Sequence, residues 1–468
     1  MILLRALGAF VILFFVSVFV FANAKELTSG VGYNFLLIAL GAFAIIFFLG
    51  GDIFNLHKVQ FSTIALIIFV AYFGTKFYLE SNDYEETKQF LTGTSNGIVF
   101  AIFLGFMSSY AMTVIYEMRR TIHLSQIAFA LVTLYLAYML FLAYGTFQFH
   151  GEQQQEDLFL ITNQEGHYQR TGDFLLMQFV LAGSLFILIL TTAGRFRFFT
   201  CLPIFLLLMA ITALFGLTAQ LVGSNSGLIG PVSFMFVIAV LYVVISLEGT
   251  AGNSRKNKLS SLIFGGLKFK LLFGSIVSAG LLVAGGMLVL QFAGVDVDVL
   301  RVTGYGVGEN ISIVSRNEIF KENFIPHFAY SPIFGHTHVE KLAGDGVARV
   351  HSLASILTHL GLVGFLVFFL MLIFLYQQII SGRNTAYDSL FSNQQYGLYR
   401  LFAILSLLAM CSVSQFFAWM PMWFAFGMFG EWIYRANRIK SSKTGPKRRS
   451  RRRRRRPLVS HNAVKSRT

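Results

Sequence analysis

Long apolar runs recur along the whole chain, and they restrict its fold more than any other feature. A helix needs about 20 apolar residues to cross the hydrocarbon core of a bilayer, where every backbone polar group must be hydrogen-bonded inside the protein. The pattern therefore predicts an all-α integral membrane protein with about twelve transmembrane helices. The candidate spans are 2–22, 31–50, 59–79, 95–116, 124–146, 173–193, 198–218, 227–247, 270–291, 352–376, 398–414 and 417–434.

The low charge content excludes a water-soluble fold. Only 13% of the residues are charged, whereas a soluble domain needs about 25% to cover its surface. Hydrophobic residues make up 55% of the chain, and its 52 phenylalanines suit lipid-facing and helix-packing positions. The last two spans are short and meet at a predicted turn, Trp419–Met420–Pro421, so ten or eleven spans remain an alternative count.

The distribution of lysine and arginine predicts the orientation of the helices, because short cytoplasmic loops carry an excess of these residues. With the N-terminus inside, the even-numbered gaps between spans are basic and the short odd-numbered gaps are acidic. The first run is interpreted as a retained helix, since it has no convincing small-residue cleavage site. We therefore expect a multi-pass protein of the bacterial inner membrane with both termini in the cytoplasm. The basic residues of the even gaps are Lys58, Arg119, Arg120, Arg195, Arg197, Arg255, Lys256, Lys258, Lys268, Lys270 and Arg383.

The same orientation places the longest gap, 293–350, on the periplasmic face between helices nine and ten. Long structured loops tend to carry function. The predicted organisation is helices one to nine at 1–292, this periplasmic loop, helices ten to twelve at 351–436 and a tail at 437–468. In the tail, nine of the ten residues from Lys447 to Arg456 are basic. This run predicts a disordered cytoplasmic segment held against anionic membrane lipids, and no nucleic acid is expected as a partner.

The periplasmic loop is rich in basic side chains for an outward-facing segment. It contains Arg301, Arg316, Lys321, Lys341 and Arg349. Arginine matches phosphate oxygens in pairs, so these positions suit the diphosphate of a lipid carrier that lies at this depth. The alternative for each of them is ordinary solvation of a polar loop.

The histidines of the loop are candidates for two roles, as metal ligands and as acid–base groups. His336 and His338 have no defined acidic partner, and we therefore predict no metal site and no cofactor. His351 is the last outer residue before the tenth span, where an imidazole can act as a general base at neutral pH. Its alternative role is to cap the helix without chemistry. Gly361 and Gly364 follow on that span, and glycines at these positions allow close approach of a neighbouring helix.

The helix cores bear on a transport function. They hold almost no acidic or basic side chain, with His359 as the main exception. Ion-coupled carriers usually keep such groups at membrane depth, so this pattern counts against one.

Two segments of the loop and tenth helix resemble the signature region of the O-antigen ligase and polysaccharide polymerase superfamily. One is His351-Ser352 followed by Gly361 and Gly364, with eight residues before the first glycine where the family pattern has nine. The other is Arg316 followed by a Pro-small-Gly turn, here Ser331-Pro-Ile-Phe-Gly335. The likeness covers the block from about residue 315 to 376, and elsewhere it is one of topology alone.

The chain differs from the family pattern in the segment before the eighth span. Many members carry an arginine there that is thought to bind the lipid diphosphate, whereas this chain has Asn225 between Ser224 and Ser226. Asparagine brings no charge, so the resemblance implies that Arg301 or Arg349 supplies the contact, or that donor binding differs.

The resemblance implies glycosyl transfer on the periplasmic face from a polyprenyl-diphosphate-linked glycan, without metal. Arg316 would stabilise the leaving diphosphate, and His351 would activate the acceptor hydroxyl. Arg301, Arg349, His338 and Asn225 are candidate substrate-binding residues. We favour a polymerase of surface-polysaccharide repeat units. The alternatives are a ligase acting on lipid A core or protein, a flippase or other transporter of lipid-linked oligosaccharide, and a membrane scaffold.

Overall fold

The computed structural model of the chain describes most of the helical segments and part of the long loop. Within the described residues all regular structure is helical. The described ranges are 2–24, 31–49, 61–81, 85–118, 122–153, 167–192, 197–221, 225–250, 311–337, 339, 353–381, 390–391, 393–411 and 419–430.

Twelve helices lie in these ranges, and one of them belongs to the predicted loop rather than to a predicted span. They are α1 Ile2–Ala24, α2 Val31–Leu49, α3 Phe61–Ser81, α4 Glu85–Met118, α5 Ile122–Gln153, α6 His167–Thr192, α7 Arg197–Leu221, α8 Asn225–Thr250, α9 Ile311–Tyr330, α10 Ser355–Ser381, α11 Gln394–Cys411 and α12 Met420–Phe429.

Five of the described helices are long and apolar enough to cross a membrane. They contain Ile98–Glu117, Ala130–Gln148, Gly172–Thr191, Cys201–Ala219 and Ser355–Ile379. The prediction of an all-α membrane protein is confirmed at this level. Helices also occupy eleven of the twelve predicted runs, but the ninth, 270–291, falls outside the described residues. The count of twelve spans, their orientation and the periplasmic side of the loop stay predictions, and the tail at 437–468 lies outside the described residues as well.

Helix α6 forms the centre of the helical bundle. It packs against α1, α7, α8, α11 and α12, and 89% of its apolar stretch Gly172–Thr191 is buried. Polar groups in this region are paired side by side: Ser17 Oγ donates to Gln178 Oε1 at 3.2 Å, and Gln178 Nε2 donates to the Ser17 carbonyl at 2.7 Å. Such pairing is required where no water is present to replace a missing partner.

Helix α11 contains a buried charge that the sequence interpretation missed. Arg400 is fully buried, and its two terminal nitrogens donate to the carbonyls of Phe429 at 2.9 Å and Phe391 at 3.2 Å. Phe429 ends α12, so the guanidinium neutralises the negative end of that helix. Arg5 and Asp173 are also buried. Each of the three lies in the first two turns of its helix, so they are exceptions near helix ends to the prediction that the helix cores hold almost no charged group.

Helix α10 lies beside α3 and under α9, and it is broken near its start. At Gly361 the backbone has φ 65° and ψ −169°, a conformation outside the helical range. A short half-helix, Ser355–Leu360, is thereby separated from the long remainder of α10. The break frees backbone groups from pairing within the helix at the place where the described part of the loop meets α10, and the candidate site lies there.

Candidate functional site

The turn Ser331–Thr337 connects the end of α9 to the broken start of α10. Gly335 in this turn has φ 69°, and Gly361 in α10 has φ 65°. Both values lie in the left-handed region, which favours glycine because other residues carry a Cβ. The two glycines also touch through their backbones, since a Cβ on Gly361 would overlap the Ile333 carbonyl and the Gly335 nitrogen. The turn and the helix break are therefore one joint that only glycine permits.

The turn takes over the hydrogen bonds that α10 loses at its break. Leu362 N–H donates to the Pro332 carbonyl at 3.0 Å, and Val363 N–H donates to the Ile333 carbonyl at 3.1 Å. In the other direction, His336 N–H donates to the Thr358 carbonyl at 3.1 Å. An unbroken helix would pair these groups within itself. As long as the turn stays in place, these backbone groups at the break therefore keep hydrogen-bond partners.

Helix α3 supplies three polar side chains to the same joint. Tyr72 Oη lies 3.2 Å from the Phe334 carbonyl and 3.1 Å from the Leu360 carbonyl, so its hydroxyl bridges the turn and the half-helix. Lys76 Nζ donates to the Gly335 carbonyl at 2.9 Å and pairs with Glu80 at 2.5 Å. The side chains of α3 thus hold the turn against α10.

Glu80 is the anionic centre of the joint. It accepts hydrogen bonds from the backbone N–H of Thr337 at 2.7 Å and from the Thr337 hydroxyl. Burial alone would raise the pKa of Glu80, but the hydrogen bonds from Lys76 and Thr337 and the Lys76 charge outweigh it and lower the pKa. His336 Nδ1 lies 4.0 Å from the Glu80 carboxylate.

His359 lies in the half-helix, and its imidazole is hydrogen-bonded within that helix. Its Nδ1 is 2.9 Å from the Ser355 carbonyl, to which it donates, and 3.0 Å from the Thr358 hydroxyl. The side chain is largely buried. These contacts fix the imidazole within one turn of its own helix.

The residues predicted as the active site are only partly placed. Arg316 lies on α9 and Asn225 is the first residue of α8, but neither side chain is among the described ones. Four others, Arg301, His338, Arg349 and His351, lie outside the described residues. The assignments of catalytic and substrate-binding roles therefore stay predictions.

The closest approach at Gly361 is made by the turn Ser331–Thr337. Helix α3 also packs beside this part of α10, where Tyr72 reaches the Leu360 carbonyl. At Gly364 the atoms nearest to an added Cβ belong to the side chain of Leu360 in the same helix, so the predicted contact with a neighbouring helix stays a prediction there. The apolar glycine pattern alone did not distinguish a helix crossing from a chain reversal.

Sequence reasoning did not single out Tyr72, Lys76 or Glu80. Lys76 and Glu80 are spaced i,i+4, which is the spacing of a helical ion pair, and Lys76 falls inside the predicted third span. A lysine inside a predicted membrane span needs a polar or charged partner. The position of Lys76 was therefore the signal in the sequence that pointed to a polar contact at this site. Its contact with a turn more than two hundred residues away could not be read from the sequence.

No family model, curated protein or solved structure matches the chain. The described residues define a class all the same: a helical membrane protein in which the turn after α9 meets a broken helix and is fixed there by polar residues of another helix.

Proposed function

We propose that the chain is a membrane glycosyltransferase that uses a polyprenyl-diphosphate-linked glycan as donor. One observation carries the proposal. The two segments on which the superfamily resemblance rests, Ser331–Gly335 and the start of α10 at Gly361, are hydrogen-bonded to each other in one joint. Segments that are apart in sequence and meet in space are what a common site requires.

The proposed reaction is a single displacement at the anomeric carbon of the donor. The acceptor hydroxyl forms the new glycosidic C–O bond, and the bond from that carbon to the diphosphate breaks. His351 accepts the hydroxyl proton, and Arg316 stabilises the charge on the departing polyprenyl diphosphate. A well-placed cation of this kind is worth about 3 kcal/mol in the transition state. Arg301 and Arg349 are proposed as further diphosphate contacts, and His338 and Asn225 as sugar contacts.

Helix α9 limits where Arg316 can act. The axial rise from Arg316 to Tyr330, next to the turn, is about 21 Å at about 1.5 Å per residue. His351 precedes the start of α10 by four positions. The proposed site therefore extends beyond the turn, and it includes the far end of α9 and the residues that precede α10.

The proposed acceptor is a second lipid-linked repeat unit, which makes the protein a polymerase of O-antigen or another surface polysaccharide in the bacterial inner membrane. Transfer to lipid A core or to protein is the alternative, because the donor chemistry is the same. Anionic lipids are proposed as the partner of the Arg-rich tail.

The test is glycan profiling by gel in a strain that lacks the chain and is complemented with wild type, His351→Ala or Arg316→Ala. We expect wild type to restore a ladder, and both variants to be present in the membrane but to leave single repeat units. Lys321 is exposed on the same helix as Arg316, so Lys321→Ala is the matched control and should restore the ladder. Polymer that accumulates on the lipid carrier without attachment identifies a ligase, and full complementation by both variants overturns the site assignment.

A transporter of lipid-linked oligosaccharide is the second candidate, and two buried ionisable side chains favour it. Arg400 and Asp173 are both buried in the bundle, and ionisable residues within membrane-spanning helices often mark a transport path. Purified protein in vesicles distinguishes the two functions. Release of polyprenyl diphosphate from the lipid-linked donor supports the transferase. Movement of the intact donor from one leaflet to the other, without this release, supports the transporter.

A further inference from the structure

The turn Ser331–Thr337 has an inverted arrangement of polar and apolar groups. Its exposed residues are Pro332, Ile333 and Phe334, and all three are apolar. Ile333 and Phe334 are 56% and 58% exposed. Its polar residues point inward: Thr337 is buried, and His336 is only partly exposed. A loop in water has the opposite arrangement, because polar side chains gain from hydration and apolar ones do not.

The backbone of the turn is equally unusual for a solvated loop. Every carbonyl from Ser331 to His336 accepts a hydrogen bond from a described group of the protein. The donors are the N–H groups of Gly335, Leu362, Val363 and Val339, the Tyr72 hydroxyl and the Lys76 ammonium. Loops in water leave many carbonyls to the solvent, whereas irregular backbone at membrane depth is tolerated only when the protein satisfies it.

The position of the break along α10 gives the depth of the turn. The apolar stretch Ser355–Ile379 has 25 residues, which exceeds the about 20 that cross a hydrocarbon core. From Gly361 to Ile379 the rise is about 27 Å, close to the core thickness of about 30 Å. Gly361, and the turn that contacts it, therefore lie at one boundary of the hydrocarbon layer.

The exposed apolar residues of the turn continue an apolar strip of α10. Leu366 is 56% exposed and Phe369 is 50% exposed on this membrane-spanning helix, which places them against lipid. Leu362 belongs to the same strip and is 44% exposed. Its N–H is bonded to the Pro332 carbonyl and the N–H of Val363 to the Ile333 carbonyl, so the exposed residues Ile333 and Phe334 lie next to the start of this strip.

We propose that the turn Ser331–Thr337 enters the membrane and presents Ile333 and Phe334 to the acyl chains of bilayer phospholipids. The periplasmic loop is then anchored in the bilayer at this point rather than suspended in water. The Glu80–His336 pair is held at the membrane surface as a consequence. The inference stands on the structure of the joint and is independent of the proposed glycosyl transfer.

The experiment places a nitroxide label on a cysteine introduced by Phe334→Cys, in full-length protein reconstituted into phosphatidylcholine vesicles. Power-saturation spectroscopy measures its collisions with oxygen, which concentrates in hydrocarbon, and with a water-soluble nickel chelate. Leu366→Cys is the lipid-facing control, and Glu322→Cys is the control for an exposed position of α9. Cys201 and Cys411 are buried, and the unmodified protein measures any labelling at these positions.

We expect the oxygen-to-nickel ratio at residue 334 to match that at residue 366 and to exceed that at residue 322 several-fold. Ile333→Cys should give the same result, and it replaces Phe334→Cys if that variant elutes as aggregate in gel filtration. A ratio equal to that at residue 322 overturns the proposal, because the turn then faces water. Low collision rates with both reagents overturn it as well, since another segment of protein would then cover the turn.

Discussion

Two close contacts in the bundle both depend on glycine, but for different physical reasons. Where α4 crosses α12, a Cβ on Gly105 would overlap the Phe424 carbonyl, and a Cβ on Gly427 would overlap the Ile102 carbonyl. Both glycines lie within helices, and neither has a positive φ. This crossing requires only space, as is common where membrane helices approach closely.

The joint of Gly335 and Gly361 requires space and a backbone conformation together. Both residues have positive φ, and Gly361 combines it with an extended ψ that is nearly restricted to glycine. The helix crossing keeps its own hydrogen bonds on each side, whereas the joint exchanges them between the turn and α10. Glycine therefore marks a packing contact between helices in one place and a chain reversal in another.

The largest expected effect is that of Gly361→Ala. The substitution adds backbone strain of about 1–3 kcal/mol to an overlap with the turn of about 1–3 kcal/mol, so we expect a loss of about 4 kcal/mol in the free energy of unfolding. Unfolding of the purified protein in detergent by SDS titration measures it. Hydrogen exchange at Leu362 and Val363 should increase, because their acceptors lie in the turn. Unchanged exchange at these amides would show that the joint does not depend on the glycine.

Gly427→Ala should destabilise the protein by about 2–3 kcal/mol, since α4 and α12 must separate to admit the methyl group. Exchange at Leu362 and Val363 should remain as in wild type, which separates the two kinds of contact. Gly41→Ala is the matched control, because a Cβ at Gly41 meets open space and the stability should not fall. Increased exchange in the joint caused by Gly427→Ala would contradict the division into two independent contacts.

Glu80→Gln tests the polar part of the joint. The amide still accepts from Thr337, but Lys76 loses its anionic partner, so we expect a loss of about 1.5 kcal/mol at pH 7. The pKa of Glu80 is lowered in the folded protein, so its contribution is complete above the ordinary glutamate value of 4.5 and is lost as the pH falls through the folded pKa. Thermal unfolding from pH 7 to pH 3 should therefore show a steeper loss for wild type than for Glu80→Gln.

The exposed glutamate Glu322 provides the control for that comparison, and Glu322→Gln should leave the wild-type dependence on pH unchanged. Parallel curves for wild type and Glu80→Gln below pH 4.5 would mean that Glu80 does not couple protonation to the stability of the joint.

The smallest expected effect is that of Tyr72→Phe, which removes the hydroxyl between the Phe334 and Leu360 carbonyls and nothing else. We expect a loss of about 1 kcal/mol in the free energy of unfolding. Tyr330→Phe on the exposed end of α9 is the matched control. A double variant, Tyr72→Phe with Glu80→Gln, should lose less than the sum of the single losses, because both side chains hold the same turn. Full additivity would argue that the joint is not one unit.

The length of the apolar runs predicted where the helices lie, but it did not predict which helices pack against each other. The runs at 59–79 and 352–376 were recognised as α3 and α10, yet their side-by-side packing was not. The short twelfth run proved to be a helix whose residues Pro421–Phe429 are all buried, although its composition resembles that of a lipid-facing span. Composition reports that a segment avoids water, and it does not report whether lipid or protein replaces the water.

The sequence by itself determined that this is a helical membrane protein, because apolar runs of this length have to satisfy their backbone locally. It also indicated Gly335 and Gly361 as special positions. Only the tertiary structure decided that they meet, that Arg400 closes α12, and that Tyr72, Lys76 and Glu80 hold the turn. The physical reason is that these contacts join residues far apart in the chain, and a local pattern carries no information about which distant carbonyl a donor will reach.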